Sequence, residues 1–502
     1  MTTPRSLRLL SLFAGLALPL AFTGCGGNGL IIPHTTGTYS NASFKGTYVF
    51  QIHGFISQSG NPYREVGVIV ADGNGNITAG SDDINTIGAG GAIPGGSITG
   101  TYSIANDGTG QMVLNSSALG AVFSGAQITL AVTLESSSVA DFMEADFFAD
   151  GAGTAELQDT AAVTTAPSGP YVFRLHDDAN AQSAAESEVG IFTISGSGFS
   201  GSVDQGLVAS ATSLTLNGSF SAPSNLGIGT ATFTDSSNVT TNLLYYIVNS
   251  GKLLFLTADS SVGSGSAEAQ SGTVSAGLSG NYVFGSRGDD VSGGTGAVAT
   301  VGQFSASGTT FSSGALDSMQ DGNYSGPNPV LFTANVAAGP TPQGREQVTL
   351  SVGPTMVLWL VSPSRAYFLF ENESAAEDGT VDLQTGSSFS ASTIKGQYAL
   401  VMDGIDFSPE AVARIGTLQF DGSSGITLVE LVNDSASGGG AQNPGALAGH
   451  YQVGASGRIT TQVTSNGSSG PDLVGYAASS SRAYVLQIDQ GVSTSGTITL
   501  QQ

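Results

Sequence analysis

The chain has 502 residues and a net charge of -25, yet only 10% of its residues are charged. Thirteen lysine and arginine residues are scattered among thirty-eight acids, so the sequence lacks the basic patches that binding to nucleic-acid phosphates requires. Apolar residues make up 40% of the chain and recur in alternating runs, which excludes a disordered protein despite the 72 glycines. The composition therefore predicts a folded acidic protein that does not bind nucleic acid.

The first residues have the pattern of an export signal. Arg5 and Arg8 supply positive charge, and an apolar run extends from Leu9 to Phe22. This run is too short to span a bilayer comfortably. We therefore predict that residues 1–24 are a signal peptide and that the protein lies outside the cytoplasm.

Cys25 is the only cysteine, and it follows Phe22-Thr23-Gly24 directly. This segment resembles the lipobox of bacterial lipoproteins, although Phe22 stands where that family usually has leucine. The resemblance implies that Cys25 is the lipidation site and that residues 25–42 form a lipidated N-terminus and tether. Acylation of the sulfur and of the new amino terminus gives the membrane more than one anchoring chain. The alternative is an ordinary secretory signal with an incidental cysteine.

Residues after the cysteine bear on location. Gly26 and Gly27 follow Cys25, with no aspartate at the second position. By the same resemblance, this favours the outer membrane or cell surface in a cell with two membranes. The single cysteine also means that no disulfide stabilises the chain, so each domain depends on its own core.

Four units repeat along the chain. Each unit opens with a glycine, a variable residue, a tyrosine and two apolar residues, and each closes with a strand in which polar and apolar residues alternate. The opening glycines are Gly46, Gly169, Gly280 and Gly396, and a second glycine follows 20 to 22 residues later at Gly67, Gly190, Gly302 and Gly416. These landmarks predict four repeats, at residues 43–160, 165–272, 277–386 and 391–502.

The pattern inside each unit predicts the fold class. Alternation with a period of two indicates strands with one buried face, and the connections are short and rich in Gly, Asp, Asn and Ser. We expect an all-β protein of four tandem antiparallel domains, each with about eight strands closed into an up-and-down barrel. A two-sheet sandwich is the alternative. Brief linkers, such as residues 164–167, predict an extended string of domains with limited bending.

A second resemblance favours the barrel. The Gly-x-Tyr opening, and a basic residue near the start of the penultimate strand (Lys252, Arg365 and Arg482), resemble the calycin superfamily. In that superfamily an aromatic residue lies beneath an arginine or lysine of a late strand. Val139 takes the basic residue's place in the first unit. The resemblance implies a barrel architecture and carries no ligand or function.

Catalytic and cofactor motifs are absent from the sequence. There is no Gly-x-Ser-x-Gly elbow, no phosphate-binding loop and no zinc-binding spacing, so we predict no enzyme activity, no cofactor and no metal site. His53 and His176 occupy equivalent places at the end of the first strand, and their counterparts are Arg287 and Asp403. We interpret these four as polar residues at a barrel rim.

Several acidic patterns have structural interpretations. Asp72, Asn74, Asn76 and Asp83 have partial calcium-loop spacing, but Ile77 replaces the required glycine, so a hairpin turn is the better interpretation. Four residues before the closing strand are interpreted as turn caps: Asp146, Asp259, Asn372 and Asp489. Adjacent acids could serve a glycosidase, at Asp82-Asp83, Asp177-Asp178 and Asp289-Asp290, but solvated surface is the simpler interpretation.

The loops after the first strand vary most among the units: residues 54–63, 177–187, 288–298 and 404–410. Variable loops on a constant scaffold are typical of binding sites, although drift explains them equally well. The sequence thus favours a lipid-anchored envelope protein with a non-enzymatic role in binding, adhesion or spacing, and with a polysaccharide or an envelope protein as partner. The alternatives are a carrier of small ligands inside the barrels and an unrecognised envelope glycan hydrolase.

Overall fold

The structure is a computed structural model. Cys25 and the predicted signal peptide lie outside the residues that it describes. The described residues are 38–502 except 58, 88, 124, 126, 179–184, 208–209, 291–295, 339–340, 342, 372–374, 387, 407–410, 436–437 and 466–467.

The chain forms four closed antiparallel barrels in tandem, each with eight strands in meander order, as predicted. Barrel 1 contains β1 (Lys45–Ile56), β2 (Asn61–Asp72), β3 (Asn76–Thr86), β4 (Thr99–Ile104), β5 (Thr109–Asn115), β6 (Gln127–Leu134), β7 (Val139–Glu144) and β8 (Ala149–Leu157). Barrel 2 contains β9 (Gly169–Asp177), β10 (Glu186–Ser195), β11 (Gly198–Leu207), β12 (Ser210–Phe220), β13 (Ile228–Asp235), β14 (Thr240–Asn249), β15 (Lys252–Thr257) and β16 (Gly263–Ala269).

The last two barrels each carry one additional two-residue strand, β20 or β31. Barrel 3 contains β17 (Ser279–Asp290), β18 (Ala297–Ser307), β19 (Thr310–Gln320), β20 (Asn323–Tyr324), β21 (Val330–Ala338), β22 (Arg345–Leu350), β23 (Thr355–Ser362), β24 (Arg365–Glu371) and β25 (Ala375–Leu383). Barrel 4 contains β26 (Gly396–Asp406), β27 (Ala411–Phe420), β28 (Gly425–Asp434), β29 (Ala446–Val453), β30 (Arg458–Ser465), β31 (Ser468–Ser469), β32 (Leu473–Ser479), β33 (Arg482–Gln487) and β34 (Val492–Leu500).

Helical structure is sparse. One α-helical turn, α1, spans Leu119–Val122, and two 3₁₀ turns span Asn41–Ser43 and Val274–Ala276. Within the described ranges, no helix has the length and apolar character needed to cross a membrane.

Each barrel interior contains its own cluster of buried aliphatic and aromatic side chains, and barrel 1 also buries Glu65, Asp82 and Glu144. The tyrosine of each opening motif belongs to this interior, and its hydroxyl donates a hydrogen bond to a backbone carbonyl in the turn before the penultimate strand. The pairs are Tyr48 with Ser137, Tyr171 with Ser250, Tyr282 with Pro363 and Tyr398 with Ser480. The calycin resemblance implied that a basic side chain lies above this tyrosine. Instead, Lys252, Arg365 and Arg482 lie on the outer face of their strands and line a cavity between barrels.

The second repeated glycine makes room for an aromatic ring. A Cβ atom at Gly67 would lie 2.6 Å from the Phe50 ring, and one at Gly302 would lie 2.4 Å from the Phe284 ring. These phenylalanines end the opening motif of the same units. Both landmarks of the repeat therefore describe one packing arrangement inside the barrel.

The four barrels form a closed ring, so the prediction of an extended string is wrong. The first strands of each barrel pack on late strands of the next, and barrel 4 packs in the same way on barrel 1 through β26 and β27 against β6, β7 and β8. A buried apolar cluster fills each junction. Repeated head-to-tail contacts close a ring when the rotation between units suits it. The outer faces of these strands carry Val, Ile and Ala at the junctions. These apolar residues are explained by their burial between the barrels.

A repeated glutamine forms hydrogen bonds across each junction. This residue directly follows the closing strand of every unit, and its side-chain amide donates to two backbone carbonyls in the following barrel. The donors are Gln158, to Leu226 and Ile247; Gln270, to Gln343 and Leu360; Gln384, to Ser456 and Ala477; and Gln501, to Asp107 and Leu134. Because Gln501 reaches back to barrel 1, the same contact closes the ring.

Three junctions also bury an acid from the third strand of one barrel. Asp204 accepts hydrogen bonds from Arg345 Nε at 2.8 Å and from Trp359 Nε1 at 2.7 Å. Asp317 accepts from Arg458 and Tyr476 at the next junction, and Asp83 accepts from Tyr246 at the first. The equivalent position at the junction of barrels 4 and 1 is Leu431, within an apolar cluster.

Candidate functional site

A cavity of about 950 Å³ lies where the four barrels meet. The outward faces of the first, penultimate and last strands of the barrels line it, because the inward faces form the barrel cores. Its charged lining consists of five bases, six acids and one histidine: Arg174, Lys252, Arg287, Arg365, Arg482, Glu135, Glu156, Glu268, Asp378, Asp382, Asp403 and His53. Although the protein is strongly acidic, five of its thirteen basic residues converge here. We call this the axial cavity.

Ion pairs and a hydrogen bond between successive barrels surround one end of the axial cavity. Glu156 of barrel 1 pairs with Lys252 of barrel 2 at 2.5 Å, and Glu268 of barrel 2 pairs with Arg365 of barrel 3 at 3.1 Å. Asp382 of barrel 3 accepts a hydrogen bond from Tyr484 of barrel 4 at 2.5 Å. The acids come from last strands and their partners from penultimate strands of the next unit.

The fourth junction departs from this pattern. Thr499 occupies the acid's position in barrel 4 and Val139 the base's position in barrel 1. Two other acids of barrel 1, Glu135 and Asp141, interact electrostatically with Arg482. Burial, and then the charge of Glu135, raise the pKa of Asp141 well above its ordinary value, while Arg482 opposes the shift.

The opposite end of the axial cavity brings together three of the four equivalent strand-end residues, His53, Arg287 and Asp403. Asp403 Oδ2 lies 2.6 Å from His53 Nε2, and Asp403 Oδ1 lies 2.9 Å from Arg287 Nη1. Arg287 also contacts His53 across the ring, from barrel 3 to barrel 1. These residues come together at the axis of the ring. The sequence interpretation placed them at the rims of separate barrels and did not predict that they contact each other.

His176 has a different environment from His53. Its Nδ1 lies 2.9 Å from Asp378 Oδ2 of barrel 3, and its Nε2 lies 3.6 Å from Asp289 Oδ2. Burial alone would lower the pKa of His176, but hydrogen bonds and charge from Asp289 and Asp378 raise it to about 10. Asp178 lies close by and pairs with Arg64 of barrel 1 at 2.5 Å.

The lowered pKa of half-buried His53 gives a pH prediction. Burial, and then the charge of Arg287, lower its pKa to about 4, although Asp403 opposes this shift. An unfolded histidine has a pKa of about 6.5, so between about 6.5 and 4 the unfolded chain binds more protons, and this contribution to stability falls as pH falls. We expect the ¹H resonances of His53 to titrate near pH 4. The difference in free energy of unfolding between pH 7 and pH 5, measured with urea, should be smaller in His53→Gln; equal differences would contradict the assignment.

Other residues singled out in the sequence remain apart from this site. Asp72 accepts backbone N–H groups of Asn74 at 2.6 Å and Asn76 at 3.0 Å, which is a hairpin turn, whereas Asp83 lies in the junction with barrel 2. Asp82 accepts from Ser116 inside barrel 1, so the neighbouring acids point to opposite faces of the strand and form no pair.

The turn caps and variable loops have mixed outcomes. Asp146 accepts the N–H of Phe148 at 3.0 Å, and Asp259 accepts the N–H of Ser261 at 3.2 Å, as turn caps do. Asn372 lies outside the described residues, as do parts of all four variable loops. In the first loop, β1 and β2 continue as a paired hairpin with Phe55 opposite Pro62.

The sequence contained a signal for the axial cavity that the repeat analysis left unused. The outward positions of the closing strands hold Thr or Ser followed by an acid in three units: Thr154 and Glu156, Ser266 and Glu268, and Thr380 and Asp382. A basic residue starts the penultimate strand of each following unit. An acid in one unit and a basic residue at the facing position of the next unit form the pattern expected of neighbouring domains that contact each other.

Comparison with known proteins identifies no family. No protein-family model matches the chain, and no curated protein matches it significantly. Among solved structures, the chain is matched to a Trp-176-Ala mutant of the vaccine antigen transferrin binding protein B from Haemophilus parasuis, with 10% identity and a TM-score of 0.19. The match covers 72% of this chain and 83% of that chain.

Proposed function

We propose that this protein is a lipid-anchored binding protein of the cell envelope that holds a polar ligand in the axial cavity. The observation that carries the proposal is that all four barrels contribute charged and hydroxyl side chains to one cavity of about 950 Å³. Pockets for small ligands have volumes of about 300–1,000 Å³. Lipobox resemblance at Cys25 supports the anchor and an outer-membrane or cell-surface location.

The barrel interiors support a ligand site less well. Aromatic side chains stack within them, for example Phe304 and Phe311 with ring centroids 4.5 Å apart. Filled cores of this kind favour a structural role for each barrel. The alternative of a small-ligand carrier therefore shifts from the barrel interiors to the space between the barrels.

The lining favours a ligand with many hydroxyl groups, such as a segment of an envelope polysaccharide. Each hydroxyl group both donates and accepts a hydrogen bond. The cavity offers carboxylates as acceptors and guanidinium or ammonium groups as donors on every side, as at Glu156 with Lys252 and at Glu268 with Arg365. Interactions with charged groups are the stronger hydrogen bonds.

The proposed role is non-enzymatic. Glycoside hydrolysis requires a carboxylate and a carboxylic acid on either side of the scissile bond. In the axial cavity, Glu156 and Glu268 each form an ion pair with a base of the following barrel, so neither stands alone on the cavity wall. We therefore expect the protein to bind its ligand without cleaving it.

Filling the axial cavity tests the proposal. Thr154 lies in the cavity wall, and Thr154→Trp adds bulk there while leaving every charged group in place. The unaltered protein is expected to bind members of an array of bacterial envelope oligosaccharides, and calorimetry with the tightest binder should show at least a tenfold loss of affinity in Thr154→Trp.

The matched control is Thr101→Trp, on an exposed position of β4 away from the cavity. This variant should bind as the unaltered protein does. The proposal fails if no oligosaccharide on the array binds, or if both tryptophan variants retain full affinity.

A further inference from the structure

One histidine and two aspartates, side chains of the kinds that bind metal ions, meet at the junction of barrels 2 and 3. His176 and Asp178 extend from the end of β9, and Asp289 extends from β17 of the next barrel. One ligand atom from each of these three residues lies within 4.8 Å of the others. We propose that His176, Asp178 and Asp289 together bind a divalent transition-metal ion, with zinc as the preferred occupant. This site departs from the sequence prediction of no metal and is independent of the proposed ligand.

The separation of two of the ligand atoms suits a shared ion. His176 Nε2 and Asp289 Oδ2 are 3.6 Å apart, which is longer than a normal hydrogen bond. Two ligands bound to one tetrahedral zinc ion at about 2.0–2.1 Å lie about 3.3 Å from each other. The two atoms therefore need to move by only a few tenths of an ångström to bind one ion.

The other nitrogen of the imidazole is already positioned as metal sites require. Ligating histidines usually donate their second ring N–H to a carboxylate, which fixes the ring and increases its basicity. His176 Nδ1 lies 2.9 Å from Asp378 Oδ2, and Arg174 Nη1 lies 3.2 Å from Asp378 Oδ1. Ser187 also donates to Asp378 at 3.0 Å. Asp378 is thereby held as a supporting carboxylate, and Nε2 faces Asp289, so an ion that binds there displaces the Nε2 proton to solvent.

A buried oxygen without a partner is the second observation that points to a ligand. Asp178 is 5% exposed, and Arg64 donates to its Oδ1. Its Oδ2 is buried and has no hydrogen-bond partner among the residues that the structure describes. An unsatisfied buried carboxylate oxygen is costly, and a metal ion would satisfy it.

The equivalent histidine of barrel 1 shows why only one of the two sites suits a metal. His53 faces Asp403, whose two oxygens are both bound by Arg287. A guanidinium group thus occupies the place where a cation would sit. At His176 two carboxylates, Asp178 and Asp289, face the ring edge, and one imidazole with two carboxylates is a ligand set that a divalent transition metal such as zinc accepts.

Zinc binding by the full-length protein tests the proposal. After dialysis against a chelator, calorimetric titration with zinc chloride should show one ion per chain. Asp178→Asn and Asp289→Asn should each weaken zinc binding by at least tenfold. Asp378→Asn should weaken it by about 10–100-fold, the usual effect of losing a supporting carboxylate. Asp72→Asn, which removes the same charge from an exposed turn of barrel 1, should leave the affinity unchanged.

A second measurement needs no variant of the site. Cobalt(II) bound by the unaltered protein should give the visible absorption bands of a four- or five-coordinate ion, and zinc should displace it in equal amount. The proposal is overturned if the folded protein binds no stoichiometric zinc, or if Asp178→Asn and Asp289→Asn bind zinc as tightly as the Asp72→Asn control.

Discussion

Replacing Asp317 by alanine is expected to lower the free energy of unfolding by about 3–5 kcal/mol, the usual cost of breaking a buried ion pair on one side. Asp317 is fully buried between barrels 3 and 4. Arg458 donates to both of its oxygens, at 2.7 and 2.8 Å, and Tyr476 donates at 2.7 Å. Alanine leaves the guanidinium and the hydroxyl group without this acceptor. Urea denaturation of the unaltered and variant proteins measures the difference.

A double-mutant cycle separates the ion pair from general damage to the junction. Arg458→Ala combined with Asp317→Ala should cost well below the sum of the two single changes, with a coupling energy of about 1.5 kcal/mol or more. Asp159→Ala, at an exposed turn acid, should change the stability by less than about 1 kcal/mol. Additive single changes would show that Asp317 and Arg458 do not interact as described.

Placing a charge in the junction of barrels 4 and 1 is expected to open the ring. Ile415 is 2% exposed and packs in an apolar cluster with Ala131, Met143 and Ala152 of barrel 1. Ile415→Asp would bury a carboxylate without a partner, which costs several kcal/mol. No short linker joins these two barrels, so we expect the radius of gyration to rise from about 23 Å to above about 28 Å in X-ray scattering.

Val301 provides the matched control, because it occupies the same register position in barrel 3 and packs at the junction with barrel 4. Val301→Asp introduces the same charge at a junction that the chain itself also connects. A short linker keeps two domains at high effective concentration, so the increase in the radius of gyration should be smaller. Equal expansion of the two variants, or none in Ile415→Asp, would contradict the importance of this closing contact.

Much of the barrel fold was predictable from local patterns. The Gly-x-Tyr openings and the alternating closing strands locate the units, since a strand with one buried face must repeat with a period of two. The structure confirms barrels over sandwiches and explains the landmark glycines by rings such as Phe50 on Gly67. These features are local because one hairpin contains both the glycine and the ring.

The ring and the axial cavity could not be predicted from such local sequence patterns. His53, Arg287 and Asp403 are far apart in sequence, and each looks like an isolated polar residue at a strand end. Their contacts arise only when successive units turn by similar angles and the fourth barrel meets the first. Outward apolar residues such as Val189 and Ile191 were visible beforehand, but their partners, Trp359 and Leu369, lie in another barrel.

Solution X-ray scattering from residues 38–502 of the unaltered protein tests the closed ring most directly. A compact arrangement of this length should have a radius of gyration near 23 Å, slightly larger with a central cavity, and a maximum dimension to match. An extended string of four domains, spaced by about 30 Å, should give about 36 Å. A value in the first range supports the ring, and with it an axial cavity built by four barrels. A value near the second would contradict both.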